Sequence, residues 1–150
     1  MGLHRISWRA TASAVSSQDV VGDALAFLVG SEDMVSWERS TSYHGPDLYL
    51  FEAHSASKKD ALATFARLGR QALTQLLDTV ESRLDEENIL HIRLELDALI
   101  DGQIRLCENS GTAQVKGRAK IEVYPGQNPI EQVQLTIESA LRLNEEVGSV

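Results

Sequence analysis

The stretch AQVKGRAKIEVY, residues 113–124, decides the fold class, because small or apolar residues alternate in it with charged residues. The inward positions of this alternation are Val115, Gly117, Ala119, Ile121 and Val123, and the outward positions are Lys116, Arg118, Lys120 and Glu122. A period of two residues is typical of a β-strand with one buried face and one face in solvent. The stretch therefore predicts a strand in a sheet that has an open face.

Similar patterns predict further strands at residues 5–12, 34–43, 48–53, 90–97 and 103–107, with turns at 44–47, 101–102 and 109–111. Apolar residues spaced by three or four positions predict three helices. The first helix is capped by Ser16 or Ser17 and ends at Gly30. The second is one long uninterrupted helix that begins at Ser57 and ends before Asn88, and the third spans residues 129–148. The order β-α-β-β-α-β-β-β-α indicates an α+β fold, with a largely antiparallel sheet of about five to six strands and helices on one face.

Length and composition indicate a single domain over residues 1–150, in which the helix at 129–148 could be an appended element. Hydrophobic residues make up 43% of the chain and charged residues 24%, which is too apolar for a disordered protein. The single cysteine, Cys107, excludes a disulfide framework and a multi-cysteine zinc site within the chain. The sequence has no signal-peptide core and no apolar run of membrane-spanning length, so we expect a cytoplasmic protein without a membrane partner.

Motifs for catalysis are absent from the sequence: it has no glycine-rich phosphate loop, no Gly-x-Ser-x-Gly elbow and no His-Glu-x-x-His helix. The four histidines lack the spacing of metal ligands. We therefore expect no catalytic residues, no cofactor and no metal. Glu95, Asp97 and Asp101 are the best carboxylate cluster for a divalent cation, but a solvated strand edge explains them as well.

The position of the basic residues carries more information than the net charge of −8. Basic side chains lie on the outward positions of the predicted strands: Arg5, Arg9, Arg93, Arg105, Lys116, Arg118 and Lys120. Lys58 and Lys59 begin the long helix, where the helix dipole disfavours cations, so we interpret them as peripheral phosphate contacts. A basic open sheet is a surface that binds a nucleic-acid backbone. The sequence therefore predicts RNA binding on the sheet, with Trp37 and Tyr43 as candidate stacking groups or, alternatively, core residues.

Other interpretations of the same charges stay open. Carboxylates on neighbouring strands could pair with these cations, and a pI near 4.9 disfavours a uniformly basic binder. The main alternative function is a protein–protein interaction module, a homodimer or docking subunit that uses acidic helices or a sheet edge without binding RNA. A small-molecule enzyme is the third hypothesis.

Several short motifs together resemble one known family, the archaeal predicted exosome-associated RNA-binding proteins. The resemblance begins in the strand Arg9-Ala10-Thr11-Ala12, the turn Tyr43-His44-Gly45 and the helix from Lys58. It continues in the same order through Ile92-Arg93-Leu94, the run from Gly102 to Leu106, and the strand from Val115-Lys116-Gly117 to Tyr124-Pro125. The similarity extends over nearly the whole chain, to about Pro125.

This resemblance implies an α+β fold similar to that of a ribosomal large-subunit protein, and a non-catalytic role in RNA processing or translation. The partners that it implies are RNA and an exosome- or ribosome-related protein. Two features differ from the family pattern: Asp97-Ala98 stands where an Asp-Lys pair is expected, and an acidic helix follows from Pro129.

Overall fold

The chain folds around one five-stranded sheet. A computed structural model describes residues 2–13, 18–40, 48–107 and 113–148, so the predicted turns at 44–47 and 109–111 and the caps Ser16 and Ser17 lie outside the described residues. The strands are β1 Leu3–Ser13, β2 Val35–Ser40, β3 Leu48–His54, β4 Ile89–Glu95 and β5 Gln114–Ile121. The helices are α1 Gln18–Val29, α2 Lys58–Ala66, α3 Gly69–Asp78, α4 Val80–Arg83, α5 Leu96–Ile100 and α6 Pro129–Gly148. The strand order is β2-β3-β1-β5-β4, and the α+β prediction is confirmed.

The register of β1, β2 and β3 follows from the alternation in their sequences. β3 pairs antiparallel with both neighbours, which places Trp8 opposite Ala53, Arg9 opposite Glu52 and Trp37 opposite Phe51. The even-numbered positions of β1 from residue 6 to residue 12 are buried, whereas Arg9 between them is exposed. A shift of the pairing by one residue would turn every one of these side chains to the other face, so the buried face fixes the register.

The chain forms two compact units, and β1, β4 and β5 contribute residues to both. The first unit contains Met1–Ile6, Ser55–Ile92 and Arg118–Val150. In it α6 packs on α2 and α3, with Val133, Ile137 and Ala140 fully buried. The second unit contains Ser7–His54 and Arg93–Gly117, and in it α1 packs on β3 and α5.

The predicted long helix is wrong in one respect, because it is interrupted twice. Gly69 has a φ of +87°, in the left-handed region that ends a right-handed helix, and Thr79 leaves helical geometry with a φ of −122°. The apolar period nevertheless persists through α2, α3 and α4, since Phe65, Leu73 and Val80 are all buried. The apolar spacing in the sequence therefore predicts which face of these helices is buried, but it does not predict where one helix ends and the next begins.

The predicted strand at 103–107 forms only an isolated bridge between Leu94 and Leu106. The predicted hairpin turn at 101–102 instead closes α5, where the N–H of Gly102 donates to the carbonyl of Leu99 over 2.9 Å. This short helix buries Leu96, Ala98 and Leu99. The alternation of apolar and polar residues in β4 continues through Leu96 in the sequence, so the sequence pattern did not predict that α5 begins there.

Candidate nucleic-acid interface

The outward face of β5 is a row of basic side chains. Lys116 and Arg118 are exposed and Lys120 is partly exposed, whereas the intervening residues Gly117 and Ala119 are buried. Because a strand rises about 3.3 Å per residue, Lys116 and Arg118 emerge from the same face roughly 6.6 Å apart along the strand. The predicted position of these cations on one strand face therefore agrees with the structure.

Gly117 holds this part of β5 against the core. A Cβ atom at Gly117 would lie 2.3 Å from Cζ3 and 2.5 Å from Cε3 of Trp8, and the Trp8 side chain is itself only 1% exposed. The indole ring therefore occupies the space that a side chain at position 117 would need. The inward face of β5 meets the inward face of β1 here, so Lys116 and Arg118 must point away from the core.

Four of the seven contact residues predicted on the sheet have side chains with no partner in the described ranges. These are exposed arginines and one lysine that make no salt bridge and no side-chain hydrogen bond there: Arg5 and Arg118 in the first unit, and Arg93 and Lys116 in the second. A cation without a protein partner keeps its full attraction for an external anion. Each unit thus presents two sheet cations that a phosphate group can approach.

Two other predicted cations, both in the second unit, are paired with carboxylates of that unit. Nη2 of Arg9 lies 2.9 Å from Oε1 of Glu52, and Nε of Arg105 lies 3.7 Å from Oε2 of Glu95. Hydrogen bonds from His54 and Arg9 hold the pKa of Glu52 below its ordinary value. Exposed pairs of this kind contribute about 0–1 kcal/mol, so an incoming phosphate can replace either carboxylate at low cost.

Of the remaining predicted cations, Lys120 and Lys58 have partners within the first unit, whereas Lys59 has none in the described ranges. Nζ of Lys120 donates to the carbonyl oxygen of Glu87, and Nζ of Lys58 forms a salt bridge with Glu122. Lys59 lines a largely apolar cavity of about 340 Å³ together with Lys58, Leu3 and Leu62. Lys58 and Lys59 therefore belong to the start of α2 and its cavity, whereas the other predicted residues lie on or beside strands.

Glu122 is the centre of a small ionic cluster just after β5. Its carboxylate binds Lys58, Nδ1 of His4 at 3.2 Å and the hydroxyl of Tyr124 at 3.2 Å. The hydrogen bond from Lys58, followed by that from His4, holds the pKa of Glu122 at about 2. The cluster ties the beginning of β1, the beginning of α2 and the end of β5 together within the first unit.

The depressed pKa of Glu122 makes stability depend on pH. Because the folded-state pKa of about 2 is lower than the ordinary value of 4.5, the ionised carboxylate stabilises the fold above pH 4.5. This stabilisation is lost as the pH falls from 4.5 towards 2. We expect urea unfolding to show a smaller loss of stability over this range in Glu122→Gln than in the native chain. An identical pH dependence in the two proteins would contradict the assignment.

The candidate carboxylate site is a pocket without a metal-binding arrangement. Glu95, Asp97 and Asp101 line a space of about 250 Å³, with Arg105 at the same pocket. Across the described parts of the chain, no group of three His, Cys, Asp or Glu side chains is placed to hold a metal ion. The arginine in the pocket supplies the positive charge that a cation would have supplied.

Sequence reasoning placed two aromatic residues only ambiguously, and it missed the role of one glycine. Trp37 is 58% exposed, so it is not a core residue, and Tyr43 lies outside the described residues. Gly117 and Trp8 are far apart in the chain, so no local sequence pattern predicts that they lie in contact. A glycine on the inward side of an otherwise apolar strand is the one available signal, because it marks a close approach of another group.

Comparison with known proteins identifies the family and the fold. A family model described as RNA binding matches residues 5–121. Similar solved structures include a DUF54 protein from Archaeoglobus fulgidus, with 23% identity and a TM-score of 0.70 over 91% of this chain and 99% of that one. A DUF54 protein from Methanothermobacter thermautotrophicus has 20% identity and a TM-score of 0.67 over 94% and 99% of the two chains. A UPF0201 protein from Methanococcus jannaschii has 12% identity and a TM-score of 0.59 over 89% and 92%.

At these identities the solved structures establish a shared fold only. No curated protein sequence matches the chain. In the ranges that the structure describes, no helix has both the length and the apolar character needed to cross a membrane.

Proposed function

This chain belongs to the RNA-binding family, and from that premise we propose that it binds RNA without catalysis, through the outward cations of its sheet. The family match begins at Arg5 and ends at Ile121, so it contains every contact residue that the sequence predicts and excludes α6. The proposed interface is formed by Arg5, Arg9, Arg93, Arg105, Lys116, Arg118 and Lys120, with Lys58 and Lys59 as peripheral contacts.

The observation that carries this proposal is the pair Lys116 and Arg118. They occupy successive outward positions of one strand, and neither side chain has a partner in the described part of the chain. Phosphate oxygens are the groups that such cations bind in nucleic acids, and these contacts give affinity without reading the base sequence. Arg5 and Arg93 add one further unpartnered cation in each unit.

The biological setting of the proposal follows the family resemblance. We place the protein in RNA processing or translation, with an exosome- or ribosome-related protein as its partner. The proposed compartment is the cytoplasm, where the thiol of Cys107 would remain reduced.

The salt dependence of binding tests the proposal directly. A fluorescently labelled RNA of mixed sequence is titrated with the protein at several salt concentrations, and binding is followed by anisotropy. Each phosphate neutralised on a single strand contributes a slope of about −0.7 to log K against log salt, so ~4 contacts predict a slope near −3. Heparin should compete with RNA for the same cations and so lower the fraction of RNA that is bound.

Two results would contradict the proposal. Absence of binding to mixed RNA at low salt would remove RNA as the ligand. Binding with a slope near zero would show that RNA is held by something other than these cations, because counterion release must accompany phosphate neutralisation.

A further inference from the structure

Among the described residues, no strand lies beside the outer side of the edge strand β2. In the described residues it pairs only with β3, and residues 36–39 are all exposed. Its sequence, VSWERS, contains neither lysine nor proline, two residues by which proteins commonly block an edge. β2 therefore presents backbone donors and acceptors that an additional strand can use.

An aromatic pair marks the same edge. Trp37 is 58% exposed, and its ring lies 5.8 Å from that of Tyr49 in an edge-to-face arrangement with an angle of 61° between the planes. Trp37 stands opposite Phe51, whose ring adjoins Gly22 of α1, so the indole lies on the helix-covered face, at the margin of the sheet. Exposed tryptophans with one supported side are frequent anchors in protein interfaces.

The surroundings of β2 are acidic, and their negative charge favours a positively charged binding partner. Residues 18–40 contain five carboxylates and one basic side chain, that of Arg39. Four of the carboxylates lie on α1 and on the 3-10 helix Glu32–Met34. These two helices contact each other, and they lie beside β2. All of these carboxylate residues are exposed: Asp19, Asp23, Glu32, Asp33 and Glu38. A second copy of this chain would bring an equal negative charge to the edge and be repelled, whereas a basic segment would be attracted.

We propose that the outer edge of β2 docks an extended, basic segment of a partner protein. The segment adds as a strand beside Val35–Ser40, its main chain pairs with β2, and an apolar side chain packs on Trp37. This surface is distinct from the cations of β5, and it is independent of the proposed RNA binding. The chain would thus bind a basic protein segment at β2 and present its own cations on β5.

The test uses the full chain and fluorescein-labelled peptides of six residues, the length of β2. The first peptide alternates Lys and Val, the second alternates Glu and Val, and the third is the Lys/Val peptide methylated on every backbone nitrogen. Anisotropy should show that the Lys/Val peptide binds at least about tenfold more tightly than either control, because one control reverses the charge and the other removes the strand hydrogen bonds.

Two variants of the protein distinguish the proposed anchor Trp37 from another exposed aromatic residue. Trp37→Ser should weaken binding of the Lys/Val peptide by about tenfold or more, as for truncation of an interface anchor. Phe27→Ser is the matched control, because Phe27 is 54% exposed on α1 but does not lie on β2. It should leave the affinity unchanged, and far-UV circular dichroism checks that both variants fold.

Four outcomes would overturn the proposal. They are equal binding of the Lys/Val and methylated peptides, no binding of the Lys/Val peptide at low salt, unchanged affinity in Trp37→Ser, and self-association of the native chain that Trp37→Ser abolishes. The last result would identify a second copy as the occupant. Charge reversal on β5 should not alter peptide binding, so the two surfaces can fail separately.

Discussion

Replacing Lys116 and Arg118 together with Glu is expected to lower the affinity for RNA by roughly 100-fold at low salt, without unfolding the protein. The substitutions remove two attractions and introduce two repulsions, and at about 0.7 kcal/mol each these sum to about 2.8 kcal/mol. The slope of log K against log salt should also become less steep by about 1.4. Both side chains are exposed and unpartnered among the described residues, so urea unfolding should change little.

Replacing Arg67 and Arg70 with Glu is the matched control. Both residues are exposed, and their side chains make no hydrogen bond and no salt bridge within the described ranges. Replacing both with Glu changes the net charge of the protein by the same amount as the β5 substitutions. Arg67 lies at the end of α2 and Arg70 near the start of α3, so neither is part of a strand. If this control weakens RNA binding as much as the β5 variant, the effect comes from net charge and the proposed interface is wrong.

Gly117→Ala should destabilise the protein by about 1–3 kcal/mol, as overpacking of a filled core does. The new Cβ would meet the ring of Trp8 at 2.3 Å, and that ring is enclosed on all sides, so either the indole or β5 must move. For a chain of this length each kcal/mol corresponds to about 2–4 °C in Tm. Thermal unfolding followed by circular dichroism measures the change.

Gly22→Ala provides the opposite expectation from the same chemical change. Gly22 lies inside α1, and a Cβ there would meet Phe51 at an ordinary 3.5 Å, so removal of glycine from the helix should stabilise by about 0.5–1 kcal/mol. In a double-mutant cycle, Trp8→Phe should reduce the penalty of Gly117→Ala, because the smaller ring vacates the contested space. Additive effects in that cycle would show that Trp8 is not the obstacle.

The strands and their outward cations could be predicted from the sequence because the two-residue period is a local property. Lys116 and Arg118 lie on the open face because Val115, Gly117 and Ala119 must face inward, whatever the neighbouring strand is. A helix cap is likewise a local feature: Oδ1 of Asn128, directly before α6, accepts a hydrogen bond from the N–H of Ile130 at 2.9 Å.

The partners of the cations could not be predicted, since they depend on which strands become neighbours. Arg9 meets Glu52 only because β1 lies beside β3, a contact between residues 43 positions apart. Lys58 is likewise bound by Glu122 through the packing of the first unit. Local patterns therefore identified the candidate site residues, and tertiary structure decided which of them are unpartnered.

The acidic residues around β2 have a second consequence, which concerns solubility. An open edge strand without lysine or proline can pair with its own kind and lead to aggregation. In this chain the mutual repulsion of Asp19, Asp23, Glu32, Asp33 and Glu38 opposes such pairing. The net charge of −8 at pH 7 on the whole chain opposes association in the same direction. The charges that attract a basic segment at neutral pH therefore also keep copies of the protein dispersed.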